Sequence, residues 1–166
     1  MERKFYNNPQ DKGAVQKNIE VSVRMAISPK TKVLKCQDQG KADHRCKYQG
    51  TMVNVEIKCG CGKVAYNVNP EGPAEAHIPN IYPNMDYIVY IPETYNDMDI
   101  LTEAWVFTRQ QFLGFLTNYP KPMVKYNSYN GTTDLNIQSF NSKRKQQYLW
   151  ETLEAMPTLG EWLEEK

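Results

Sequence analysis

The chain has 166 residues, 40% of them hydrophobic and 11% aromatic, with a formal net charge of +1. That size and composition suit one domain around one core and exclude a mostly disordered chain. No window approaches the roughly 18 uninterrupted apolar residues of a membrane-spanning helix, and the near-neutral total does not announce a nucleic-acid partner.

Residues 1–9 carry no apolar core of a secretory signal, so a cytoplasmic location is expected. From Asp11 to Ile27 the apolar positions Val15, Ile19, Val23, Ala26 and Ile27 fall on one face of a helix that Ser28-Pro29 stops. Glu20 sits beside that stripe. Lys32 to Cys36 reads as a short strand. Ala42 to Tyr48 and Thr51 to Cys59 read as two strands joined at Gln49-Gly50. The second alternates cleanly, with Val53, Val55 and Ile57 on one face and Asn54, Glu56 and Lys58 on the other. Val64 to Val68 reads as a short continuation.

Residues 69–84 hold Pro70, Pro73, Pro79 and Pro83, which leaves room for a helical turn or two only at Glu71 to Ile78. The continuous apolar run Tyr87 to Ile91 suits a strand buried on both faces. Ala104 to Thr108 predicts a further strand and Gln110 to Leu116 a helix. Residues 121–141 read as loops with one strand around Leu135 to Ile137. Ser142 to Met156 predicts a closing helix, after which Leu159 to Leu163 packs back on the body. The pattern implies an α/β or α+β fold around one mixed sheet flanked by helices.

Charge is unevenly placed. Residues 30–47 hold Lys30, Lys32, Lys35, Lys41, Arg45 and Lys47 against Asp38 and Asp43. Such a stretch either meets phosphates or is a solvated basic face. The chemistry-bearing constellation lies beside it. Glu56 and Lys58, two apart in a strand, leave the same face, and Asp43 lies near their level if the hairpin closes at Gln49-Gly50. Two carboxylates there would suit a hard cation such as Mg²⁺ or Mn²⁺. Lys58 could stabilise developing charge.

Asp43 followed by Glu56-Ile57-Lys58, with a helix before and the strand Asp86 to Tyr90 after, resembles the PD-(D/E)XK, or restriction-endonuclease-like, nuclease superfamily. Ala42 stands where that motif commonly has Pro. The resemblance covers about residues 11–116 of a single nuclease-like domain, with 117–166 as a C-terminal extension. It implies an α/β restriction-endonuclease-like core and metal-dependent hydrolysis of DNA. Asp43 and Glu56 would bind the metal, the Ile57 carbonyl could add a ligand, Lys58 would assist the attacking water, and Glu20 matches the acidic residue members often place on the first helix. The alternative is a catalytically inactive nuclease-like fold serving a phage or mobile element as a protein- or nucleic-acid-binding module. A chain this compact would draw specificity from a homodimer or a host protein partner.

Other groupings build less. Cys36, Cys46, Cys59 and Cys61, with His44, could surround zinc, but only Cys59 and Cys61 are close, and free thiols are the plainer expectation. His44 alternates with Asp43 and should face away from the metal, and His77 has no nucleophile beside it. No Gly-x₄-Gly-Lys-Ser/Thr phosphate loop is present. Arg109 and Gln110, at the start of a helix, could meet a phosphate. A loop holding Lys125, Tyr126, Asn127, Tyr129 and Asn130 could stack on bases or meet a protein. Lys143-Arg144-Lys145 reads as a solvated helix start.

Overall fold

A computed structural model describes residues 9–29, 42–59, 63–66, 78–119, 123–127, 132–136 and 143–166. Helix α1 (Pro9–Ile27) buries Val15, Ile19, Val23 and Ile27, the face its periodicity assigns. Strands β1 (His44–Tyr48) and β2 (Thr51–Cys59) form the expected hairpin, with His44 opposite Val55 and Tyr48 opposite Thr51. Gln49 and Gly50 close it at φ 48° and 85°. Two positive φ values are what a two-residue turn matched to strand twist requires, and glycine adopts the second without a Cβ penalty.

After β3 (Lys63–Tyr66) and a 3₁₀ turn (Ile78–Asn80), β4 (Tyr87–Ile91) runs parallel to β2, pairing Val55 with Tyr87 and Cys59 with Ile91. A four-residue helical turn, α2 (Ile100–Glu103), is capped by Asp99, which accepts the Leu101 N–H at 3.0 Å. Strand β5 (Trp105–Thr108) then pairs antiparallel with β4, completing a four-stranded mixed sheet in the order β1-β2-β4-β5. Helix α3 (Arg109–Thr117) starts at a capping box in which Thr108 and Gln111 satisfy each other's backbone N–H groups. Helices α4 (Lys143–Glu154) and α5 (Leu159–Glu164) follow.

The sheet is covered on both faces. Val53, Val55, Ile57, Val89 and Val106 meet α1 together with Leu159 and Trp162 of α5. On the opposite face Ile88, Tyr90 and Phe107 meet Phe112, Phe115 and Leu116 of α3 and Leu149 and Leu153 of α4. This double cover is why Tyr87 to Ile91 reads as an unbroken apolar run. The C-terminal segment is tied to β5 by Val106 N–H donating to the Pro157 carbonyl at 2.9 Å and Leu159 N–H to that of Ala104 at 2.8 Å.

The expectation of a single sheet is corrected. Strands β6 (Met123–Asn127) and β7 (Thr132–Asn136) form a second, antiparallel sheet with β3, in the order β3-β7-β6. Val64 and Val124 both pair with Leu135. Residues 121–141, polar and rich in Asn, Ser and Tyr, were expected to be loops with one strand. Strands β6 and β7 pair locally with each other, while the other edge of β7 pairs with β3, more than sixty residues earlier and beyond the reach of any local pattern. The expected strand at Lys32 to Cys36 lies outside the described residues, as does the helical turn at Glu71 to Ile78 apart from Ile78 itself.

Candidate active site

The hairpin register sets the site. With His44 opposite Val55, Asp43 falls at the level of Glu56 as the chain enters β1. Asp43 Oδ2 accepts the Ile57 N–H at 2.8 Å, which pins its carboxyl across the end of the hairpin. Glu56 leaves the face of β2 away from α1, between Asn54 and Lys58, and is half-buried.

Burial raises the proton affinity of Glu56 most; the charge of Asp43 and a hydrogen bond to its carboxyl raise it further, and Lys58 opposes them. With Glu20 also repelling, the Glu56 carboxyl is pushed up to about 8. Glu20, half-buried on α1, is raised by burial and then by Asp43, against Arg24, Lys58 and Lys17. Asp43, Lys58 and Glu20 thus all act on the Glu56 carboxyl. A carboxyl group beside Glu56 in a half-buried place raises the cost of ionising Glu56, and a divalent cation would relieve that cost. Among the described residues no three His, Cys, Asp or Glu side chains form a ready-made cage. Mg²⁺ needs no such cage, since it takes one or two carboxylates and keeps several waters. The donor set fits that ion.

The other candidates are placed as follows. His44 points to the α1 side, where its Nε2 lies 2.8 Å from Ser28 Oγ, and burial, then Arg24 and Lys166, hold its pKa down. Cys46 and Cys59 are free thiols. Burial, with Glu20 next, pushes Cys59 up to about 12, so it is an inert thiol at neutral pH. Cys36, Cys61, His77, Lys41, Tyr129 and Asn130 lie outside the described residues. Arg45 and Lys47 are exposed, on the face of β1 that also carries Asp43. Lys125, Tyr126 and Asn127 lie in β6, in a strand and not in a loop. Lys143 and Arg144 are exposed at the start of α4.

Arg109 does something other than the expected phosphate contact. Its Nε donates to the carbonyls of Tyr82 at 2.8 Å and Ile81 at 3.1 Å, and its Nη2 to that of Pro79 at 2.6 Å. The guanidinium is a clamp on the turn before β4. The Gln111 N–H of α3 is already taken by Thr108 Oγ, while Gln110 is exposed.

Tyr82 was not legible in the sequence. Burial holds its phenol above the usual range, followed by the charges of Glu56 and Asp43. Its backbone is left-handed, at φ 49°, a conformation that costs a non-glycine residue about 1–2 kcal/mol. It sits in a Pro-rich interval, between Ile81 and Pro83, that gives no motif to find it by.

No family model, curated protein or solved structure matches this chain.

Proposed function

We propose that this chain is a metal-dependent nuclease of the PD-(D/E)XK kind, hydrolysing DNA phosphodiester bonds. The observation that carries this reading is the hairpin register that sets Asp43 level with Glu56 and Lys58, with the Asp43 carboxyl held by the Ile57 N–H at 2.8 Å. An earlier helix carrying Glu20, a hairpin carrying Asp43 and Glu56-Ile57-Lys58, and a later parallel strand support a restriction-endonuclease-like core.

Asp43 and Glu56 would hold Mg²⁺ or Mn²⁺, with the Ile57 carbonyl as an additional oxygen. The cation supplies Lewis acidity at the phosphate and favours ionisation of water. The chain's own residues do the rest. The Ile57 N–H fixes one Asp43 oxygen, leaving the other to coordinate. Glu56 would hold the cation as a carboxylate, beside the Asp43 carboxyl. Lys58, on the same strand face as Glu56, offers an ammonium to the charge that develops on the transferring phosphoryl oxygens. Arg45 and Lys47 extend the exposed face of β1 away from the pair and provide a cationic path for the DNA backbone.

The test is cleavage of supercoiled, linear and single-stranded DNA with Mg²⁺ or Mn²⁺. Asp43→Ala and Lys58→Ala should abolish it while the fold persists. Cleavage of no DNA form by wild-type protein would remove the nuclease assignment. DNA or protein binding without cleavage would leave the inactive binding module in its place.

A further inference from the structure

A cavity of about 330 Å³ opens at the turn end of the β1–β2 hairpin. Tyr48, Thr51 and Val53 line it from the hairpin, and Asp86, Tyr87 and Thr108 from β4 and β5. The pairings of Tyr48 with Thr51, and of Tyr87 with both Val55 and Thr108, put these side chains on the sheet face covered by α1 and α5. Glu56 and Lys58 leave the other face, so the cavity is separate from the candidate metal site and does not rest on the nuclease reading.

Its chemistry is one-sided. Among the described residues Asp86 is the single charged side chain in the lining, and it is exposed. Its Oδ2 accepts the Asn54 N–H at 2.8 Å, which fixes the carboxylate. The guanidinium of Arg109, next to Thr108 in the chain, gives its donors to the carbonyls of Pro79, Ile81 and Tyr82 instead. Gln49 also borders the cavity and donates its side-chain amide to the Glu165 carbonyl at 3.2 Å, which leaves its own carbonyl oxygen as an acceptor. The Thr51 and Thr108 hydroxyls add further acceptors. Tyr48 lies flat on Trp162, with centroids 4.3 Å and planes 6° apart, and Tyr87 stands edge-on to both at 5.3 and 5.2 Å. The three rings hold one another, so this aromatic wall is rigid before anything binds. A carboxylate and several acceptors beside a tyrosine wall, with no cation among them, complement a planar cation. Aromatic faces attract positive charge, and a guanidinium carries five donors in one plane and stacks on rings, which an ammonium does not.

We propose that this cavity binds a guanidinium group, which packs on the tyrosine wall and donates to Asp86 and the acceptors around it. Its volume stands at the lower end of the range for small-molecule sites, about 300–1,000 Å³, so it suits one small head group and its stem. That group can come from a free compound or from an arginine of another chain, and the chemistry that recognises it is the same.

The experiment is an NMR titration of the full chain with methylguanidinium, with a blocked Gly-Arg-Gly peptide and with a blocked Gly-Lys-Gly peptide, following the backbone amides of Thr51, Tyr87 and Thr108. The expected result is saturable shifts at these amides with a guanidinium probe, at a Kd on the order of 1 mM or tighter. The lysine peptide should bind about fivefold more weakly than the arginine peptide, the worth of one hydrogen bond. Asp86→Asn should weaken guanidinium binding by about tenfold or more, the worth of a charged one. Asparagine keeps an oxygen for the Asn54 N–H, and an unchanged melting temperature checks that the fold persists. Binding of methylguanidinium as tight as that of the arginine peptide assigns the site to a free compound, and tighter binding of the peptide assigns it to a partner chain. Equal affinity for the arginine and lysine peptides, or wild-type affinity in folded Asp86→Asn, would overturn the proposal. So would the absence of saturable shifts with either guanidinium probe at about ten times that Kd. Should Asp86→Asn melt early, Thr51→Lys at an exposed strand position puts an ammonium into the same cavity. Loss of guanidinium binding there supports the proposal, and wild-type affinity refutes it.

Discussion

Replacing Glu56 with glutamine should stabilise the metal-free protein, and by an amount that depends on pH. Glu56 is held at about 8 against an ordinary 4.5. Below pH 4.5 the carboxyl is protonated in both folded and unfolded chains and carries no penalty. As pH rises from 4.5 towards 8 the unfolded chain releases this proton while the folded chain keeps it, so stability falls with pH across that window. The full displacement corresponds to up to about 5 kcal/mol, an upper bound because water entry and relaxation soften it. Glutamine can still donate to Asp43 and never has to ionise. Glu56→Gln should therefore equal wild type near pH 4.5 and exceed it by about 2 kcal/mol or more at pH 8, or at least about 4 °C in melting temperature for a chain of this size. His44 acts in the opposite sense. Its depressed pKa favours the neutral ring, so its contribution grows as pH rises towards 6.5, and the difference between the two proteins cancels it. The assay is thermal melting of both proteins from pH 4.5 to 8 without metal, repeated with Mg²⁺. Mg²⁺ should recover wild-type stability at pH 8 and leave the variant unmoved. A stability gap that shrinks or stays constant with rising pH would refute a forced carboxyl pair.

Phe107→Ala removes a fully buried ring from a cluster with Tyr90, Phe112 and Phe115, and should cost about 3–5 kcal/mol in chemical denaturation. Arg109→Ala strands three carbonyls of the turn before β4 and should destabilise by about 2 kcal/mol or more, while the salt dependence of DNA binding stays as in wild type. Arg45→Ala with Lys47→Ala should do the reverse: little change in melting, weaker DNA binding, and a log affinity against log salt slope reduced by about 0.7–0.9 per charge removed. An unchanged slope would remove these two side chains from the DNA path.

Local rules were enough for much of this protein. The 3.6-residue spacing in α1, the two-residue alternation of β2 and the Gln49-Gly50 turn are short-range signals, and together they set the hairpin register. Because register is what brings Asp43 level with Glu56, the acidic pair was legible before any coordinate. Tertiary structure decided the rest, since the partners come from distant parts of the chain. The β7 strand pairs on one edge with β3, more than sixty residues earlier, a pairing that no nearby residue encodes. Arg109 looks like a helix-entry cation, yet its fork is committed to carbonyls some thirty residues earlier. Tyr82 takes its left-handed place only when that clamp holds its carbonyl and the Phe112 ring stacks on its own. Pattern determines which face a side chain leaves; burial and charge, which depend on what lies opposite, determine what that side chain can do.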